Sequence, residues 1–199
     1  APLVARIVQQ AAGNALFLEE LIRVLAEGKG DELPETVLAM LQSRIARLSA
    51  ELRRFLRAAS IFGETLWRGG VSAVLGWDKA SSVTESCLAE LVRVEILERR
   101  RDSRFPNEEE LAFRHALMRE AAYGLTTEEE QRSGHLRAAE YLESVGESEP
   151  GVLIEHYRRA QEIQRTVPLY MRAGGEANRI GGLPESRQHY AAAYAALQQ

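Results

Sequence analysis

The sequence holds one cysteine, Cys87, which excludes an internal disulfide framework and points to a reducing compartment, the cytoplasm. Long apolar runs are missing as well. No stretch approaches the length of a spanning helix and no signal peptide pattern opens the chain, so no membrane partner is expected. A basic excess is also lacking. Lys and Arg number 25 against 29 Asp and Glu, a net charge of −4 over 199 residues. By segment the nets are −1 for residues 1–50, 0 for 51–124 and −3 for 125–199. None of these carries the surplus of cations that binding to a nucleic-acid backbone demands.

Catalytic signatures are equally scarce. There is no phosphate-binding loop, because Gly28-Lys29-Gly30 lacks the upstream glycine and the following hydroxyl. The four histidines, at 115, 135, 156 and 189, have no metal-ligand spacing with one another or with Cys87. Nothing resembles a nucleophile elbow. The carboxylate runs Glu108-Glu109-Glu110 and Glu128-Glu129-Glu130 read as a hairpin tip and a helix N-terminus, where negative charge suits the helix dipole. Catalysis by this chain alone is therefore not expected. A start at Ala1 without methionine suggests a piece of a larger protein.

What is present is helical periodicity and punctuation. Phe17, Leu18, Leu21, Ile22 and Leu25 share one face, between Gly13-Asn14 and Gly28-Lys29-Gly30. Leu33-Pro34-Glu35 opens a further helix with the stripe Val37, Leu38, Leu41, Ile45 and Leu48. Residues 1–50 thus read as a small helical bundle. Ser49 looks like the cap of a helix running to about Phe62, followed by a short helix at Val71–Leu75 and one from about Lys79 to Ile96, capped by Asp78 or Ser81. The period then changes, and residues 96–100 and 110–114 read as two strands around a polar loop with Pro106-Asn107. Three helices and a hairpin make residues 51–124 a winged-helix domain with a short hairpin wing. Trp67, Trp77 and Phe62 are assigned to its core.

From residue 115 the chain returns to helices, expected at 115–124, 127–145, 150–162, 165–180 and 184–198. His156-Tyr157-Arg158-Arg159-Ala160 recurs 33 residues later as His189-Tyr190-Ala191-Ala192-Ala193. Tyr170, Ala173, Gly174, Ala177, Ser186, Tyr190 and Ala193 match the small and large positions of a tetratricopeptide repeat. Residues 125–199 therefore read as a helical linker and the start of a TPR-like array. The expected fold class is mainly α: a small helical bundle, a winged helix and TPR-like hairpins.

Three motifs in order carry a resemblance: Gly13-Asn14-Ala15-Leu16-Phe17-Leu18-Glu19-Glu20-Leu21, Leu33-Pro34-Glu35-Thr36-Val37 and Phe113-Arg114-His115-Ala116-Leu117. Together the chain resembles the C-terminal regulatory part of the signal-transduction ATPases with numerous domains (the STAND class). That likeness implies a lid, a winged helix and repeats downstream of a P-loop core, with ATP or ADP and Mg bound by that core. It places Gly13, Asn14 and Ala15 near the adenine, with Ala15 where the family has proline. It also makes His115 similar to the histidine that contacts an ADP phosphate, with Ala116 where the best-known motif has aspartate. The implied partners are the upstream core and a protein or small-molecule inducer bound by further repeats.

His115 could instead cap its helix or pack beneath the hairpin. Two other readings stand beside the switch. One is a DNA-binding winged-helix regulator, with Arg99, Arg100, Arg101 and Arg104 on phosphates or the minor groove. Against it, the candidate recognition helix is net −1 and offers no Asn, Gln or central Arg for bases. The other is a TPR-type interaction scaffold indifferent to nucleotide.

Overall fold

The computed structural model describes residues 15, 17–19, 22, 37–78 and 81–198. The chain is mainly helical, with one small three-stranded antiparallel sheet. It divides into two compact units, Ala1–Ser49 and Ala50–Gln199.

In the first unit Ala15, Phe17, Leu18, Glu19 and Ile22 are helical, with Phe17 buried and Ile22 exposed. The helix α1, Val37–Ala46, buries Met40, Leu41 and Ile45. The expected stripe is corrected at two positions, one of them Leu48, which lies half-buried beyond the end of α1. Leu38 is 43% exposed, and Met40, on the opposite flank of the same face, is buried. At 100° per residue the buried arc is centred near Val37, which leaves Leu38 at its edge.

The second unit opens with α2, Ala50–Ser60, which buries Phe55, Leu56, Ala58 and Ala59. It stops two residues short of Phe62. The amides of Ile61 and Phe62 donate to carbonyls three residues back, and Gly63 follows at φ 110°. A short strand that sequence patterning does not reveal comes next: β1, Thr65–Trp67. Three residues are too few to show an alternation. The helices α3, Arg68–Leu75, and α4, Ser82–Arg93, follow directly. Gly76 in the left-handed region closes α3, while the Ser81 hydroxyl accepts from the Val83 amide to cap α4. The hairpin strands are β2, Leu97–Arg99, and β3, Glu110–Phe113. β3 is central, pairing Leu66 with Leu111 on one side and Glu98 with Ala112 on the other.

Five further segments complete the unit: α5, Ala116–Tyr123; α6, Glu128–Ser144; α7, Pro150–Arg159; and, after a 3-10 turn at Ile163–Thr166, α8, Val167–Arg179, and α9, Leu183–Leu197. Thr127 and Glu130 form a reciprocal capping box at the start of α6, where the acidic run supplies the first turn. α6 packs on α3 on one side and on α7 on the other, and α8 pairs with α9. The repeated residues sit in different surroundings. Tyr157 is fully buried beside α6, whereas Tyr190 is 40% exposed.

The α3–α6 crossing is close enough to require glycine. A Cβ on Gly70 would lie 2.8 Å from the Phe62 ring and 2.9 Å from that of Tyr141. Both rings are held by neighbours, so the crossing must open to admit a methyl group. Gly70→Ala is expected to destabilise the protein by about 1–3 kcal/mol, the usual cost of overpacking. Gly174→Ala, which meets the more exposed ring of Tyr190, should cost less. Chemical denaturation of the two variants checks the order.

Candidate functional site

His115 stands where the sheet hands the chain to α5. The Arg114 amide extends the β2–β3 pairing by donating to the Ile96 carbonyl at 3.1 Å, and its guanidinium meets Glu95 at 2.7 Å. His115 is extended, at φ −138° and ψ 130°, and occupies the N-cap position. Its carbonyl accepts from the amides of Met118 at 3.0 Å and Arg119 at 3.4 Å. The half-buried imidazole makes no cap bond. Among the described residues, the amides of Ala116 and Leu117 also find no acceptor. An imidazole and two backbone donors therefore share one helix N-terminus, an arrangement that favours an anion. Ala15 is an exposed helical residue of the first unit, while Gly13 and Asn14 lie outside the described residues.

The far end of α5 is tied to the helices that follow. Met118, Ala121 and Ala122 are buried, and Arg119 Nε donates to the Ser60 carbonyl at the end of α2, 3.2 Å away. The Tyr123 hydroxyl lies 3.0 Å from His135 Nε2 on α6 and receives Arg159 Nη1 from α7 at 3.3 Å. His135 Nδ1 in turn lies 2.9 Å from His156 Nδ1. The two histidines are 2% and 6% exposed.

Proton accounting orders this chain. A guanidinium can only donate, so the Tyr123 oxygen accepts from Arg159. Leaving no phenolic hydrogen unpaired then requires Tyr123 to donate to His135 Nε2. His135 carries its proton on Nδ1 and donates to His156 Nδ1, which leaves the His156 proton on Nε2. Both imidazoles are neutral. Burial pushes His135 down to about 3, with His156, Arg159 and Arg119 acting the same way. Burial also pushes His156 down to about 4, helped by Arg159 and opposed by Glu155. Sequence spacing gives no sign of this pair, because 21 residues and a helix turn separate partners that meet only through α6–α7 packing.

The hairpin arginines are engaged within the chain. Arg99 pairs with Glu109 and, at 3.1 Å, with Glu85, which also holds Arg68. Arg100 lies 3.9 Å from Glu98, and Arg101 is exposed. Arg104 reaches Glu147, whose side chain is fully buried, at 2.5 Å and Glu149 at 3.3 Å. Glu147 also accepts from the Glu149 amide, while its second oxygen is buried without a partner among the described residues. Next to Arg104, Phe105 is 4% exposed and packs 4.8 Å from the Trp67 ring, in one core cluster with Tyr141, Leu142 and Tyr157. The loop expected to be a polar tip is thus docked by its middle onto α6 and the residues after it.

No protein-family model matches this chain, and no solved structure matches it. It is similar to an uncharacterized protein of Rhizobium meliloti (strain 1021), with 26% identity over 196 residues. The match covers 89% of this chain and 18% of that protein, so the chain spans less than a fifth of its relative's length.

Two outcomes follow from these contacts. Unfolded histidine titrates near 6.5 while both folded imidazoles titrate well below it, so the unfolded state binds more protons between about pH 6.5 and pH 4. Stability should be level above that window and fall as pH drops through it, by up to about 1.4 kcal/mol per pH unit for each histidine. Urea denaturation across pH checks this, and a His135→Gln, His156→Asn double variant should lose the slope. Separately, Arg104→Ala strands a buried carboxylate and should cost about 1–3 kcal/mol, held down by its 38% exposure. Arg99→Ala, at the surface, should cost at most about 1 kcal/mol.

Proposed function

We propose that this chain is the non-catalytic regulatory part of a nucleotide-switched signalling ATPase of the STAND class. It couples nucleotide state to the binding of an inducer or partner. In this reading residues 1–50 form the lid, 51–124 the winged helix and 125–199 the start of a TPR-like array. ATP or ADP, with Mg, is held by an upstream P-loop core in the cytoplasm.

The observation that carries the reading is the span of α5. At its N-terminus stand His115 and two backbone donors that find no acceptor among the described residues, a setting that suits a phosphate. At its C-terminus Tyr123 is bonded into the His135–His156 pair that joins α6 to α7. One rigid helix thus links the candidate sensor to the repeat-like helices, and displacement at His115 is carried to them through packed contacts. Nucleotide biases such a two-state element only by its difference in affinity for the two states.

The repeat reading draws support from the last hairpin, where Ile180, Leu183, Tyr194 and Leu197 are 87%, 61%, 66% and 59% exposed. Repeat units bury such faces by stacking on neighbours. A plain interaction scaffold would use the same face. DNA binding is less favoured, because Arg99, Arg100 and Arg104 face carboxylates of their own chain and the hairpin loop is pinned by Phe105.

The test is ADP affinity of the full-length protein bearing the nucleotide core, as wild type and as His115→Ala, with folding checked by circular dichroism. A loss of about tenfold or more, the equivalent of 1.4 kcal/mol, is expected. Unchanged affinity in a folded variant overturns the sensor role and leaves the scaffold.

A further inference from the structure

A cleft between α2, α3 and α6 gathers three arginines, two of which meet no carboxylate among the described residues. Its cavity measures about 180 Å³, and Arg54, Arg57, Arg137, Glu130, Ser133 and Ile61 are among its lining residues. Arg54 Nη2 donates to the Leu75 carbonyl at 3.3 Å, and Arg137 Nη1 donates to the Val74 carbonyl at 2.9 Å. Two guanidiniums from different helices therefore converge on consecutive carbonyls at the end of α3. Each has five N–H donors and spends one on that carbonyl. Arg54 is further held by the Trp77 ring, 5.6 Å below its guanidinium. Among the described residues, neither Arg54 nor Arg137 has a carboxylate within ion-pair distance. Arg57 is different, since Glu130 neutralises it at 3.1 Å.

We propose that this cleft binds a small phosphomonoester, its phosphate held by Arg54 and Arg137 and its apolar stem laid on Ile61. The charges match: the three arginines less Glu130 leave a net of two positive charges, and a phosphomonoester carries about −1.5 to −2 at neutral pH. The chemistry matches as well. Guanidinium forks bond pairs of phosphate oxygens, and two forks set around one space engage three oxygens, which a carboxylate cannot offer. Size limits the ligand. The cavity far exceeds the ~10–15 Å³ that one water needs, yet falls below the ~300–1,000 Å³ of sites for drug-sized molecules. It takes a headgroup and a short stem, not a nucleotide. Because the binding groups come from α2 and α6, and both arginines are braced on α3, an occupied site ties these three helices together. This assignment stands independently of the nucleotide-switch reading.

Isothermal titration of the 199-residue chain with phenyl phosphate at low ionic strength tests it. One saturable site is expected, with inorganic phosphate weaker because it lacks the stem, and succinate weaker because its charges lie at opposite ends. An Arg54→Gln, Arg137→Gln double variant should bind at least about tenfold more weakly. Should that variant misfold by circular dichroism, the Nε–Hε resonances of Arg54 and Arg137 in the wild-type protein supply the readout, and both should shift with phenyl phosphate. Absence of saturable binding, unchanged affinity in the folded double variant, succinate binding as tightly as phenyl phosphate, or binding with neither arginine resonance moving would each overturn the assignment.

Discussion

The ring of Phe62 packs at once against Trp67, Tyr141 and His156, with centroids 6.1–6.2 Å away, and the second unit is organised around that contact. These partners come from β1, α6 and α7, so one side chain in the turn after α2 joins the sheet to the helical stack. Edge-on geometry to Trp67 and Tyr141 suits aromatic quadrupoles and leaves little freedom to slide. Gly70 must be small for the same reason, since any side chain there would push into two of these rings. The hairpin loop closes the cluster from outside by adding Phe105 against Trp67.

Packing of this kind decides the electrostatics nearby. His156 is buried because Phe62 and α6 cover it, and that burial keeps both members of the histidine pair neutral. Two neutral imidazoles share a hydrogen bond at 2.9 Å, where two imidazolium ions would repel. Arg159 joins this hydrogen-bonded chain through the Tyr123 hydroxyl, and its charge opposes protonation of both imidazoles. At the other face of α6 the balance is reversed. Arg54 and Arg137 are left with helix-end carbonyls as partners, which accept hydrogen bonds without cancelling the charge. One helix thus separates a site that excludes charge from a site that accumulates it.

Much of the fold was legible in residue order. The α6 start was announced by the acidic run Glu128-Glu129-Glu130, the end of α3 falls at the expected Leu75, and α4 is capped by Ser81, one of its two expected caps. The two hairpin strands lie within their expected ranges, because β2 and β3 break the helical period around a polar loop. β1 was not legible, being three residues long and dependent on β3 for its pairing. The candidate site was legible only in part. His115 is at the strand-to-helix joint that its neighbours imply, whereas His135 and His156 carry no local mark of their partnership. The hairpin arginines looked alike in sequence, yet Arg104 alone contacts a fully buried carboxylate.

Sequence by itself determined the mainly helical class, the punctuation of the helices and the position of His115, because caps, turns and periodicity act between residues within one or two turns of each other. Tertiary structure alone decided which side chains became neutral, paired or stranded. The docking of Phe105, the burial of Glu147, the His135–His156 bond and the convergence of Arg54 with Arg137 all join residues at least 20 positions apart. Desolvation depends on what covers a group from outside its own segment, and no local pattern encodes that cover.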